Sequence, residues 1–513
     1  MKFKTEHGLA LLLICALPLT LVQRAVAADY ESNLEKTFSV SARGKLDIEA
    51  DRGSVQVQTT ADNQVQVRIT RIAKDGTKAQ ADELFANHEV TFQQDGNSIT
   101  VTAKNKSKVN RWWTSGRPNL EVRYQVSIPK SFDVQLHTAG GDVQVADLDG
   151  QASVSTSAGS IRLAKINGPV ETSDAGGNIF VQEAVGKLVS RTSSGSIRIE
   201  KAGAGVDAAN AGGDIWVEQA GADVVARTSS GAITVVTAQG GVNAKNAGGN
   251  IRVDKAGDDV VAETSSGSIQ LGHIGKAVTA RNAGGDITVQ EAKANVTVST
   301  SSGSLILKKI GGDLEARDAG GNISAEEVGG AVTAHTSSGS IVLKRVHGKI
   351  DLRNAGGELN IEEADSEVVL RTSSGAIQVG TVRGPVEARD TGGGIRIRGA
   401  YDTVKAATSS GNIDVSFAAA PKGDSRLEVS GGGITIALPS SAAVDLDART
   451  TGGRVITDMP LTETSEKKSN SLDGKLNGGG PRLVLRASSG DIHLLSASPA
   501  AKQLEAEAPA NGR

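Results

Sequence analysis

Glycine recurs every eighteen residues, with no insertion, across more than half of this 513-residue chain. A period that strict leaves few folds open. The last glycine of each AGG or SSG triplet falls at Gly141, Gly159, Gly177, Gly195, Gly213, Gly231, Gly249, Gly267 and Gly285, and the series continues to Gly411. That makes sixteen anchors and fifteen equal intervals. TSSG-type and NAGG-type units alternate, so the full repeat is 36 residues.

Within a unit the apolar residues keep fixed places: Ile197, Ile199, Ala202, Val206 and Ala208, then Ile215, Val217, Ala220, Val224 and Ala226. Alternation with period two over about five residues predicts two short strands per unit, and the 3.6 spacing of a helix is missing. Glycine at the corners is expected to supply positive φ, where other residues would be strained. Because the period never drifts, equivalent residues of successive units can stack in register. The column that begins with Ile161 and Ile179 reaches Ile413 with only Ile and Leu in it. The reading is all-β: a single-chain parallel β-solenoid with 18-residue rungs, capped at both ends. One rung buries too little apolar surface to stand alone, and at ~4.8 Å per rung the regular part spans about 72 Å.

Two other eighteen-residue schemes fail on spacing. Left-handed hexapeptide solenoids need an apolar residue at every sixth position, whereas here the gaps run two, three, four and two. Calcium-binding nonapeptide solenoids need G-G-x-G-x-D, and AGGDIWVEQ lacks the later glycine and aspartate.

Composition is 38% hydrophobic but only 3% aromatic, so the core is expected to hold small and β-branched side chains. Residues 1–27 read as a secretory signal peptide: a weakly basic start, the apolar run LALLLICALPLTLV, and Ala25-Val26-Ala27 as the cleavage signature. Pro18 interrupts that run, and about 20 apolar residues are needed to span a bilayer, so no transmembrane segment is expected in the mature chain. Cys15 is the sole cysteine and lies within the run, which leaves no thiol for disulfides or metals after cleavage. Removing Lys2, Lys4, Arg24 and Glu6 leaves 52 basic against 57 acidic residues, a net charge of −5. Such a balance gives no reason to expect nucleic acid.

Further boundaries follow from where the repeat starts and loosens. Residues 28–133 form an N-terminal β-rich cap, with strands KLDIEA, SVQVQTT, NQVQVRITR, SITVTAK and LEVRYQVSI. One helix, KAQADELFANHE, sets Ala81, Leu84, Phe85 and His88 on one face and is expected to cover the first rung. Residues 134–418 are the regular solenoid, 419–495 the irregular C-terminal rungs and cap, and 496–513 a disordered tail.

The recurring SSGSI and AGGDI, the stretch ALPSSAAVDLDARTTGGRVITDMP, and GGGPRLVLRASSGDI near the end are similar to a bacterial adhesin-like family of β-strand-repeat domains of unknown function, related to the adhesin-head domain. The resemblance runs from about Thr37 to Leu495. It implies a solenoid with an envelope-associated or surface role, and it brings no catalytic residues. The chain departs from autotransporters, because only SASPAAKQLEAEAPANGR follows the repeats and no alternating strands remain to build a membrane barrel.

Chemistry-bearing motifs are few. The seven histidines, His7, His88, His137, His273, His335, His347 and His493, show no metal-ligand spacing, and no P-loop, Rossmann or G-x-S-x-G context occurs. No metal or cofactor is expected. A corner column of Thr192, Asn210, Thr228, Asn246 and their equivalents reads as a structural ladder that satisfies turn backbone, with a ligand groove as the alternative. Charges alternate in the column Lys165, Glu183, Lys201, which disfavours a one-rung slip. A mainly basic column, Arg191, Arg227, Lys245 and Arg281 onwards, is either a solvated face or a site for an acidic glycan or lipid head group. Phe180, Arg198 and Trp216 follow one another in an outward column and would make a cation–π platform suited to a sugar face. Alternatively, the loop carrying Trp112 and Trp113 covers that platform.

The function these features point to is an exported, non-enzymatic, adhesin-like rod, periplasmic or on the cell surface, with an envelope glycan or another envelope protein as partner. A carbohydrate-binding module and a polysaccharide-active β-helix enzyme are the alternatives. The ligand and the oligomeric state are left open.

Overall fold

A computed structural model describes residues 28–41, 43–106 and 119–497. The expected signal peptide, residues 1–27, Trp112 and Trp113, and the residues beyond Ala497 lie outside the described residues.

Each regular rung is two strands and two turns. Ile197–Ala202 lies in one sheet, a three-residue turn follows, Val206–Asn210 lies in the opposite sheet, and a four-residue corner leads to the next rung. Partners are parallel and eighteen residues apart: Ile197 pairs with Ile215 and Arg198 with Trp216, while Val206 pairs with Val224. Ile197, Ile199 and Ala202 from one sheet meet Val206 and Ala208 from the other, all nearly inaccessible. The chain is therefore a two-sheet parallel β-solenoid with a thin aliphatic core. The most deeply buried large rings, Tyr124, Phe132 and Phe417, lie near the ends of the regular stack.

The corner glycines are required for a reason other than the one expected. Of the sixteen anchors only Gly141 (φ 125°) and Gly411 (φ 118°) occupy the left-handed region. Gly195, Gly213, Gly231, Gly249, Gly267 and Gly285 do not; they are glycines because successive corners touch. A Cβ on Gly231 would lie 2.1 Å from the carbonyl oxygen of Gly213, and one on Gly213 2.4 Å from that of Gly195. No side chain fits between backbones that close.

The polar corner column is the structural ladder that the sequence suggested. On NAGG rungs the Asn side chain donates to a glycine carbonyl of the preceding rung, as Asn210 does to Gly195 at 2.6 Å, and its oxygen accepts from Gly212 N. On TSSG rungs the threonine hydroxyl makes the matching bond, as Thr228 does to Gly213 at 3.0 Å. The residue after the glycines explains the 36-residue period: Asp214 Oδ1 accepts the backbone N–H of Ala232 one rung on, and Asn250 does the same for Ser268. The Asp or Asn side chain on one rung faces a small residue on the next, so the two corner types alternate.

Both ends depart from simple stacking in chain order. The N-terminal strands are β1 (Ala28–Ser39), β2 (Lys45–Ala50), β3 (Ser54–Thr60) and β4 (Gln64–Gly76), then helix α1 (Lys78–Asn87), β5 (His88–Asp95), β6 (Ser98–Asn105), β7 (Asn119–Pro129), β8 (Asp133–Thr138) and β9 (Val143–Val145). Five of these match the expected strands; β1 and β5 do not appear in the sequence reading. The rung β2–β3 sits between β6–β7 and β8–β9. Strands β4 and β1 add antiparallel beyond β7, and β5 adds antiparallel beyond β6. Helix α1 opens with a capping box at Thr77 and Gln80 and buries Ala81. It packs against β4, β5 and β1, so it does not lie on the first rung as expected.

Strands β10 to β39 run through the regular region from Ala152–Thr156 to Ile413–Phe417. They are followed by β40 (Ser425–Val429), β41 (Ile434–Pro439), β42 (Val444–Thr450), β43 (Val455–Thr457), β44 (Glu463–Lys467), β45 (Ser471–Leu476), β46 (Arg482–Ala487) and β47 (Ile492–Ala497). The last rung, β46–β47, is inserted between β40–β41 and β42–β43. Glycine contacts follow that spatial order: a Cβ on Gly490 would meet Gly432 O, and one on Gly453 would meet Gly490 O. At each end, then, one rung is held between two others that are closer to one another in sequence. β47 also extends to Ala497, so the first two residues of the expected tail belong to the strand.

Candidate functional site

Phe180, Arg198 and Trp216 occupy the second position of three successive strands in one sheet, where period-two alternation turns the side chain outward. Phe180 and Trp216 are half-buried and Arg198 is exposed. The Arg198 guanidinium carbon lies 5.5 Å from the centroid of the Trp216 ring. Among the described residues Arg198 makes that contact with Trp216, and Phe180 is its register partner without one, so the stack is two-membered where three members were expected. Trp216 Nε1 donates to Glu218 Oε2 at 2.9 Å, which fixes the indole along the strand. Whether Trp112 and Trp113 approach this patch falls outside the described residues.

Ion pairs surround the patch. Glu183 lies between Lys165 (3.4 Å) and Lys201 (3.1 Å) on neighbouring rungs. The bond from Lys201, with Lys165 behind it, holds the Glu183 carboxyl below the ordinary carboxylate range. The same column further along pairs His273 with Glu291 at 2.9 Å and Arg345 with Glu363 at 2.9 Å.

The basic column on the other sheet is also paired. Asp207 receives Arg191 and Arg227 at 3.5 and 3.6 Å, and Glu263 receives Lys245 and Arg281 at 2.9 and 3.5 Å. Arg353 and Arg371 share Asp351. A shallow groove of about 710 Å³ runs along the stretch from Arg227 to Arg281. Its three cations are paired to Asp207 and Glu263, so this side carries more cations than acids but no row of free cations. Among the described residues no group of three or more His, Asp or Glu side chains is placed to hold a metal ion.

One polar cluster was not anticipated. In β4 the inward positions read Val65, Val67, Ile69, Arg71, Ala73, so an arginine points into the core at the N-terminal end. Arg71 Nη1 donates to the carbonyls of Phe85 (3.0 Å) and His88 (3.2 Å), Nη2 donates to Ser32 Oγ (2.7 Å), and the guanidinium lies 5.2 Å from the Phe85 ring centroid. It thus holds the end of α1 against β1. His88 is buried with Nε2 3.8 Å from Asp51 Oδ1. Burial pushes the His88 pKa down, Asp51 opposes the shift, and Arg71 and Arg52 reinforce it. Burial likewise pushes the Tyr124 hydroxyl up. The legible signal was an arginine in register with inward aliphatics, which period-two counting detects.

The paired columns and the aromatic patch together define a β-solenoid rod with ion-paired sides. The chain belongs to the Toastrack DUF4097 family, which matches residues 44–308 and 276–495; the two matches overlap, as an internally repeated sequence allows. No curated protein matches the chain. Among solved structures it is similar to a candidate cell adhesion protein from Clostridium sporogenes, with 7% identity and a TM-score of 0.17 over 91% of this chain and 100% of that one. A candidate adhesin from Bacteroides fragilis shares 11% identity at a TM-score of 0.16, covering 68% and 96%. A candidate lipid-binding protein from Parabacteroides distasonis shares 12% at 0.15, covering 69% and 96%. Similarity at that level defines neither a ligand nor a partner.

Proposed function

We propose that this chain is an exported, non-enzymatic, adhesin-like rod of the bacterial cell envelope that offers its sides to an envelope glycan or another envelope protein. The observation that carries this reading is the unbroken register of the outer columns. Residues such as Lys165, Glu183 and Lys201 recur one rung apart and pair across rungs, so the charges hold register and leave a long, regular lateral surface. Water screens each exposed pair so that it contributes little by itself, which suits a surface that keeps its shape through many weak contacts. Export rests on the apolar run and the Ala25-Val26-Ala27 signature. Among the described residues no helix is long and apolar enough to cross a membrane.

A carbohydrate-binding role is the second reading, favoured by the Arg198–Trp216 contact. An exposed cation–π pair of this kind is worth about 0.5–1 kcal/mol and presents a flat face to a sugar ring. Cell fractionation of a tagged chain, combined with a glycan array, tests both readings. Recovery from the envelope or medium is expected, whereas retention in the cytoplasm contradicts export. Trp216→Ala should remove glycan binding without changing the melt if the patch is a ligand site; a lowered melt would make it a packing contact.

A further inference from the structure

The corner column changes character over the last five rungs. At the first corner position, NAGG-type rungs carry alanine at Ala139 and at every 36th residue to Ala355. The next such rung carries Thr391, and the GG rungs after it carry Ser430 and Thr451. With Ser409 and Ser488 on the intervening rungs, five consecutive corners present a hydroxyl. Their order along the rod is Thr391, Ser409, Ser430, Ser488, Thr451, because the last rung is inserted before the one that carries Thr451. Backbone bonds join neighbouring corners, including Ser410 N to Thr391 O, Gly431 N to Ser409 O, and Gly452 N to Ser488 O. All five residues are exposed, and among the described residues none of their hydroxyls bonds to the protein.

These hydroxyls line an open groove of about 1040 Å³. Its far wall is the β44–β45 hairpin, which supplies Glu466, Lys468 and Asn470. The hairpin belongs to no rung and adds antiparallel to β42, at the outer end of the row of hydroxyl corners. Most of the groove's charges are paired: Arg389 with Glu387, Glu428 with Arg426, Arg449 and Arg486 with Asp447, and Lys468 with Glu466, while Asp390 accepts the N–H of Gly392 and keeps one buried oxygen without a partner. Hydroxyls spaced one rung apart, about 4.8 Å, come close to the rise per sugar of an extended β-1,4-linked chain, and a wall whose charges are mostly paired suits an uncharged one.

We propose that this groove is a binding site for a neutral, extended glycan chain, lying along the corner with about one sugar per rung. It is a different site from the Trp216 patch, so failure of one leaves the other to be judged separately. The test uses the full chain with cellohexaose, chitohexaose and maltohexaose as probes. The variant Thr391→Ala/Ser430→Ala/Thr451→Ala restores the alanine that the seven earlier NAGG-type rungs carry, so its fold is expected to persist. At least one probe should bind the parent chain with an affinity indifferent to salt, the triple variant should bind it about tenfold or more weakly with an unchanged melt, and Trp216→Ala should bind it normally. Binding by none of the three probes, equal binding by the triple variant, or binding that weakens steeply with salt would overturn the assignment.

Discussion

Arg486 grips Asp447 twice, donating from Nη2 to the carboxylate at 2.6 Å and from Nη1 to the backbone carbonyl at 2.8 Å. Arg482 reaches the same carboxylate at 2.8 Å, and Arg449 lies 3.2 Å from its other oxygen. Asp447 belongs to β42 and the two arginines that donate to its carboxylate to β46, so the clasp fastens the inserted rung to its outer neighbour. Arg486, followed by Arg482, holds the Asp447 carboxyl below its ordinary range. A depressed folded value means that the stabilisation is present above the unfolded value, about 3.9, and is lost as pH falls through the folded one. Asp447→Asn should therefore cost about 2 kcal/mol at pH 7 in urea melts, with the difference shrinking toward pH 3. A pH-independent difference would show that the charge is not what holds the rung.

Corner glycines should differ sharply in tolerance. Gly231→Ala places a Cβ 2.1 Å from Gly213 O and should cost at least about 3 kcal/mol, since the obstacle is the backbone of the preceding rung. Gly212→Ala meets its nearest neighbour, Ser193 O, at 3.4 Å and should stay within about 0.5 kcal/mol. Equal effects in thermal melts would refute the stacked-corner explanation.

How far the fold could be read from sequence differs between the middle and the ends. Ile197 and Ile215 are eighteen residues apart and pair as the period demands, and Arg198 meets Trp216 for the same reason. Asp447 and Arg486 are 39 apart, where no period operates. Leu427, Leu446 and Leu485 all show the same inward alternation, so nothing local says that β46 pairs with both β40 and β42. Strand β1 is not legible in the sequence because most of it is accessible on both faces and carries little apolar alternation. Glycine spacing located the corners, but spacing alone does not distinguish a positive φ from close contact between rungs.

Three aspartates stand where the column otherwise uses asparagine. Asp318 Oδ1 accepts from Gly320 N at 3.0 Å, while its buried Oδ2 has no partner. The neighbouring Asn282 and Asn354 use the equivalent atom to donate to Gly267 and Gly339 at 2.6 and 2.7 Å. Asp318→Asn should therefore stabilise the rod by about 1 kcal/mol, and Asn282→Asp should destabilise it by a similar amount. Denaturation midpoints of the two variants check this, and a loss of stability in Asp318→Asn would contradict it.

Acid should loosen the N-terminal end through His88. Its folded pKa lies below the unfolded value of about 6.5, so the stabilisation from the neutral ring is complete above pH 6.5 and fades as pH drops below it. Protonation would add a cation beside Arg71 and Arg52 in a buried setting. The melting temperature of the parent chain should fall between pH 7 and pH 5 more steeply than that of His88→Gln. Parallel curves would remove His88 from the explanation.

The register of the rod is tested most directly by small-angle X-ray scattering on a chain lacking residues 232–267, one full 36-residue repeat. The deletion joins Gly231 to Ser268, and Asp214 can then take the N–H of Ser268 in place of that of Ala232. A folded particle shorter by two rungs, about 10 Å, with an otherwise similar profile is the predicted result. An unfolded chain, or a folded one of unchanged length, would contradict the stacked 18-residue rung.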